Sequence, residues 1–437
     1  MNNESPKSNP YALIPFGLFI LLFIGSGLVT GDFYVMPVLV ALFTAILLAL
    51  MMNRKTDFQT KVLQLSQGGG HPNIILMVLV FLLAGAFASV ADGAGAVEST
   101  VNLGLTLLPQ NLLVVGLFVI GCFISISMGT SMGTIVALAP IGVGISEQTD
   151  IGVALAMGAI ISGAMFGDNL SIISDTTIAA VRTQGVKMKD KFKANFFIVL
   201  PAAILTAIIF GVMTAGSEAA IGGSHPFNIV QVLPYLAVLI FALAGVNVIL
   251  VLIGGILFAG GVGLALGEFG FQDFIGLIGS GFTNMQELAL IAILLGGLVE
   301  LIRQNGGITY LLEAVTNRVR TKKGGEAGIA GLVSMVNFAT ANNTISIITA
   351  GPLAKQISDK YQIDNRRSAS LLDIFSSSVQ GVIPYGAQLL AAAGVAAISP
   401  VALIPFCIYP ILIAISGMIA IAVQYPRFTA KAESREG

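Results

Sequence analysis

Between residues 167 and 177 the chain reads Gly167-Asp168-Asn169-Leu170-Ser171-Ile172-Ile173-Ser174-Asp175-Thr176-Thr177, two acids and five neutral polar side chains set between stretches that are almost purely apolar. Carboxylate, hydroxyl and amide oxygens are what a hard cation such as sodium takes as ligands, and a carboxylate can carry a proton instead. A carboxylate at bilayer depth costs roughly 2.5–3.5 kcal/mol on insertion scales, so a membrane segment holds one mainly where it faces protein, water or a bound ion. Three further interruptions share this polar character: Met128-Gly129-Thr130-Ser131-Met132-Gly133-Thr134, Thr340-Ala341-Asn342-Asn343-Thr344, and Gln380-Gly381-Val382-Ile383-Pro384-Tyr385-Gly386. The first of them and the acidic run supply a candidate cation- and proton-binding set: Thr130, Ser131, Thr134, Asp168, Asn169, Ser171, Ser174, Asp175, Thr176 and Thr177. The other two supply a second, neutral set, Thr340, Asn342, Asn343, Thr344 and Gln380, with nearby backbone carbonyls.

Each of these residues has a plainer reading. Asp175 in Ser174-Asp175-Thr176-Thr177 can cap the half-helix that runs toward Arg182. Asp168 sits at a helix C-terminal end, where the dipole disfavours an acid unless a cation accompanies it. Hydroxyl clusters can serve as interhelical glue, the preferred reading for Ser376, Ser377 and Ser378. Asp373, on the same half-helix, is either a second-site acid or a proton carrier. Glu300 and Arg303, three apart, form an interfacial ion pair. His71 and His225 precede Pro72 and Pro226 in loops and have no assigned chemistry. Asn169-Leu170-Ser171 and Asn342-Asn343-Thr344 match the glycosylation pattern only by accident at membrane depth.

The elements that must position these residues are membrane helices. Of 437 residues 56% are hydrophobic and only 10% charged, against about 25% charged in soluble proteins, and the mean hydropathy is +0.92. Cys122 and Cys407 lie in apolar runs and read as small buried thiols. Apolar runs able to cross about 30 Å at 1.5 Å per residue occur at 11–29, 33–52, 74–91, 193–215, 228–245, 246–266, 285–303 and 401–423. The first reads as a retained span. The four interrupted stretches are 111–146 and 327–357, read as re-entrant hairpins with arms of about 13–17 residues, and 151–182 and 368–398, read as broken spans.

Ten crossings and two hairpins place both termini on one side, which the basic residues identify as the inside. All 21 Lys and Arg then fall in inner segments or at their edges, from Lys7, Arg54 and Lys55 through Lys187, Lys189, Lys191, Arg318, Lys322, Arg366 and Arg367 to Arg435. The outer segments 30–32, 92–110, 147–150, 216–227, 267–284 and 399–400 hold acids such as Glu98, Glu218 and Glu268 but no basic residue, as the positive-inside rule requires. The chain also repeats at an offset of 212: Leu82-Leu83-Ala84-Gly85 precedes Leu294-Leu295-Gly296-Gly297, Pro140 precedes Pro352, and Asp168 falls on Gln380 and Asp175 on Ala387. The expected fold is an all-α polytopic membrane protein of two inverted repeats with about ten spans, two re-entrant hairpins and two broken helices. Its parts are residues 1–73, two spans and a cytoplasmic loop; 74–227, repeat one; 228–284, linking spans; 285–423, the inverted repeat two; and 424–437, a cytoplasmic tail.

Gly167-Asp168 through Ser174-Asp175-Thr176-Thr177, continuing into Arg182-Thr183-Gln184-Gly185, resembles the signature of the NhaC-type sodium/proton antiporter family, part of a broader ion-transporter superfamily. The likeness runs from about 74 to 423. It implies paired hairpins and broken helices, sodium coupling and elevator-like movement of the hairpin unit; it leaves the solute open between ions, a malate/lactate pair and amino acids. The expected function is sodium-coupled secondary active transport in the plasma membrane, with Na+/H+ antiport by alternating access as the lead and Na+-coupled uptake of an amino acid or small organic anion as the alternative. Partners are then Na+, H+, the lipid bilayer and, in the alternative, the organic solute; no nucleic acid is involved, and a homodimer is left open. No cofactor is expected beyond the two coupling ions. A pump would need a phosphate-binding loop, and neither Gly-Lys-Ser nor Gly-Lys-Thr occurs; a channel would need a continuous pore; a membrane hydrolase would want a His-Glu-x-x-His or Gly-x-Ser-x-Gly element, and neither is expected. The chain is therefore not expected to be an enzyme. With no basic residue in the candidate site, dicarboxylates are disfavoured relative to zwitterions and bare ions.

Overall fold

The polar interruptions decide the architecture, because each ends one helix and caps the next. The computed structural model describes residues 6–30, 35–107, 110–171, 174–215, 226–316 and 320–426, and every regular element among them is helical. The first interruption separates helices Gln110–Met128 and Ser131–Gln148. Gly129 turns the chain with a φ of +67°, and the Thr130 side chain accepts the Gly133 N–H as N-cap. The second separates Lys322–Thr340 from Asn343–Tyr361 by the same device, with Ala341 at φ +50° and Asn342 capping Ile345. The acidic run divides Val153–Leu170 from Asp175–Gln184, and 381–386 divides Asn365–Gln380 from Ala387–Ala396.

These eight helices are two copies of one unit. Starts at 110, 131, 153 and 175 recur at 322, 343, 365 and 387, each 212 residues later. The hairpin arms have 19, 18, 19 and 19 residues, longer than the 13–17 expected, because helix continues through flanking polar residues such as Gln110, Glu147 and Lys322 that an apolarity criterion trims away.

Among the described residues six helices are long and apolar enough to cross a membrane: Pro72–Gly93, Asn111–Met128, Val153–Gln184 across its break, Met188–Thr214, Val248–Leu266 and Phe271–Gln304. Four shorter apolar helices are Pro10–Gly25, Val38–Met51, Ile229–Phe241 and Ile408–Val423, and Ala387–Ala396 bends by 103° into Pro400–Phe406. Phe271–Gln304 has 34 residues, about 51 Å of helix. It takes in 271–284 of the segment 267–284 expected as outer, and the boundary drawn at 284/285 falls inside it. One glycine of this stretch is a packing residue: a side chain on Gly281 would strike the Gly85 carbonyl, and one on Gly85 the Gly281 carbonyl, whereas Gly276 and Gly279 face open space. Backbones in such contact associate through dispersion and close fit.

Other expected loops also contain helices: Phe58–Gly69 within 53–73, Ala96–Leu107 within 92–110, and Gly307–Thr316 within 304–326. His71 caps Pro72–Gly93 by accepting the Asn73 N–H. Cys122 and Cys407 are free and buried. Glu218, His225, Arg318 and the tail beyond residue 426 lie outside the described residues.

Candidate functional site

Asp168 lies in the last turn of Val153–Leu170, where carbonyls are left without intrahelical donors. Gly167 beside it presses against Ser125 and the Cys122 carbonyl of Gln110–Met128, so this end of the helix is fixed against the hairpin. The carboxylate is 2% exposed. Ser131, the first residue of the second hairpin arm, donates to its Oδ2 at 3.0 Å, and Ser174, across the break, donates to Oδ1. The Ser174 and Thr176 hydroxyls share a hydrogen bond of 2.8 Å. Asp175 opens the next half-helix. Its Oδ1 accepts the Thr176 N–H at 2.9 Å, so the capping reading is half right, while Oδ2 accepts the Thr344 hydroxyl at 2.6 Å from the second copy's hairpin.

Both acids border one cavity of about 130 Å³. Thr130, Ser131 and Gly133 form its wall on the first copy; Asn342, Asn343, Thr344, Gln380 and Gln388 form the facing wall on the second; Asn73, Leu76, Met77 and Val80 of Pro72–Gly93 complete it. A chain of amide donors ties the walls together. Gln380 Nε2 donates to the Ala341 carbonyl at 3.1 Å and to Gln388 Oε1 at 2.7 Å, and Gln388 Nε2 donates to Ser131 Oγ at 3.1 Å. A carbonyl only accepts, so this contact fixes the Gln380 amide, and Gln380 in turn fixes Gln388. Two carboxylates, three hydroxyls and amide oxygens around a small space form an oxygen donor set for a hard cation. Among the described residues no group of three His, Cys, Asp or Glu could hold a transition metal.

The remaining expected site residues lie off the cavity. Thr134 donates back to the Thr130 carbonyl and Thr340 to that of Asn342, bonds within their own hairpins. Ser171 donates to the Ile126 carbonyl at 2.8 Å, anchoring the break. Asn169 turns its amide to the Met165 carbonyl and the Tyr409 hydroxyl. Thr177 and Asp373 instead surround Lys191, whose ammonium reaches Thr177 Oγ1 at 2.6 Å, the Asn169 carbonyl at 2.9 Å and Asp373 Oδ2 at 2.8 Å. Asn195 donates to the same carboxylate at 2.6 Å. The expectation of no basic residue nearby is thus corrected. Lys191 reads as part of a solvated loop because it stands among Lys187, Lys189 and Lys193, yet the helix starts at Met188 and turns it inward. Asn195, one turn on in an apolar run, is the signal that marks this face. Gln388 is likewise legible as the counterpart of Thr176 at the 212 offset.

The expectation that no Gly-x-Ser-x-Gly element occurs is corrected: Gly129-Thr130-Ser131-Met132-Gly133 has the spacing of that serine-hydrolase element. Ser131 is spent on Asp168 and Gln388, and its recorded partners include no histidine. Of the three serines read as interhelical glue, Ser378 donates across to the Pro410 carbonyl, Ser376 donates to the Asp373 carbonyl of its own helix, and the buried Ser377 hydroxyl meets no partner among the described residues. Glu300 and Arg303 pair at 2.7 Å as expected.

The family model of the Na+/H+ antiporter family matches residues 11–215 and 218–425, both copies of the unit and the helices around them. The chain belongs to this family. Among curated relatives, it is 23% identical over 429 residues to the malate-2H(+)/Na(+)-lactate antiporter of Bacillus subtilis, covering 90% of each chain. It is 27% identical over 397 residues to the Na(+)/H(+) antiporter NhaC of the same organism, covering 82% of this chain and 84% of that one. It is 22% identical to the arginine/ornithine antiporter ArcD of Halobacterium salinarum, covering 79% and 78%.

Proposed function

We propose that the chain exchanges Na+ for H+ across the plasma membrane by alternating access, with Asp168 and Asp175 as the exchanging carboxylates. The observation that carries this reading is that both acids of one broken helix border a single cavity whose opposite wall comes from the second copy. Ionised, they compensate a sodium ion coordinated with Ser131, Thr344 and neighbouring oxygens; protonated, they no longer attract it, so one ion replaces the other. Ser131 and Ser174 prearrange Asp168, and Thr344 ties Asp175 to the opposite hairpin, so ion occupancy bears on the contact between the two copies. An elevator-like movement of the hairpin unit would carry the site from one face to the other. The orientation is inverted-repeat, with both termini in the cytoplasm, as the basic loops imply. The activity is transport without covalent chemistry.

A second reading, sodium-coupled movement of an amino acid or small organic anion, has a specific support: Asn343, Gln380 and Gln388 line the cavity with neutral amides that could hold a polar solute. Its weakness is that the lining includes no Lys or Arg to receive a carboxylate, and Lys191 is committed to Asp373. Purified protein in liposomes separates the two: internal pH is followed under an imposed sodium gradient, with and without labelled amino acids. Proton movement driven by sodium alone supports exchange, and solute accumulation supports the second reading.

A further inference from the structure

Beside the exchange cavity lies a second charged cluster that the exchange chemistry leaves unused. The three N–H donors of Lys191 meet three oxygens, one carboxylate, one hydroxyl and one backbone carbonyl, at 2.6–2.9 Å. Lys191 and Asp373 are 1% and 0% exposed. A carboxylate buried so deeply needs a positive partner, and oxygens of these three kinds converging on one monovalent charge are the ligand chemistry of an alkali cation. The pair also departs from the internal repeat. At the 212 offset Lys191 corresponds to Leu403 and Asp373 to Ile161, so the pair has no internal duplicate.

We propose that Asp373, Thr177 and the Asn169 carbonyl form a second monovalent-cation site that the chain fills with its own ammonium, Lys191. The tethered charge keeps this cage closed to sodium and leaves the Asp168 and Asp175 cavity as the site open to transported ions. That transport consequence rests on the exchange reading above; the cage itself does not. Replacing Lys191 with a neutral side chain vacates the cage while leaving Asp373 buried and charged, so a solvent cation should enter.

The test is equilibrium binding of radioactive sodium to the purified full-length protein, with thermal melting as a function of sodium concentration. Lys191→Met should bind one more sodium per chain than the native protein, and its melting temperature should rise more steeply with sodium, since a ligand that binds only the folded state stabilises it. The extra ion should persist in Asp168→Asn/Lys191→Met, where the exchange site is silenced, and vanish in Lys191→Met/Asp373→Asn, where the cage has lost its charge. No gain in Lys191→Met, or a gain that survives Asp373→Asn, would overturn the proposal. So would failure of both Lys191→Met and Lys191→Gln to fold at any sodium concentration while Lys191→Met/Asp373→Asn folds. Absence of sodium binding by the native chain would overturn the exchange reading alone, because the cage is read from the increment.

Discussion

Asp168 and Asp175 are held differently, and the difference predicts different mutant behaviour. Asp168 is buried and accepts hydroxyls from its own copy, whereas Asp175 is exposed to the cavity and takes Thr344 from the other copy. Thr344→Val keeps shape but removes the donor, and should raise the sodium concentration for half-maximal transport several-fold with the maximal rate retained, because a lost neutral contact is offset by mass action. Thr344→Ser should stay near native; a fall in maximal rate without a change in sodium dependence would contradict this role. The acids were legible in sequence because a carboxylate is conspicuous among apolar residues. Lys191 was not, since a lysine among lysines looks solvated, and only the register of the helix from Met188 shows that it faces Asp373.

The helix breaks are the elements that place these residues, and they were legible from polar and glycine runs. Their ends were less so, as was the long helix Phe271–Gln304, where Gly281 packs on Gly85 of Pro72–Gly93. The two hairpin turns differ in one respect that can be measured. Gly129 occupies the left-handed region at no cost, while Ala341 at φ +50° adopts a conformation that costs an L-residue about 1–2 kcal/mol. Ala341→Gly should therefore stabilise the protein by about 1 kcal/mol, and Gly129→Ala should destabilise it by a similar amount. Melting of both variants in the same detergent checks the pair, and shifts of the same sign would contradict the turn geometry.

At the scale of the whole molecule, the basic loops are tied to their neighbours in two groups. The Asn9 N–H donates to the Gly306 carbonyl and Asn53 Nδ2 to Asn305 Oδ1, bringing Lys7, Arg54 and Lys55 near the end of Phe271–Gln304, while Lys323 donates to the Ala422 carbonyl and Arg367 binds both Glu326 and the Tyr425 carbonyl. If this end is cytoplasmic, a cysteine at Glu268 should react with an impermeant reagent added to intact cells, and one at Arg54 should react only after permeabilisation. The buried Cys122 and Cys407 give little background. The reverse pattern would invert the orientation. The central claim is that Asp168 carries the exchanged ion, and one measurement bears on it most directly: internal pH in liposomes under a sodium gradient, for native protein and Asp168→Asn. The amide keeps the size and accepting oxygen of the side chain but not its charge. Sodium should drive proton movement in the native protein and none in a variant that melts normally; unchanged proton movement in Asp168→Asn would contradict the account.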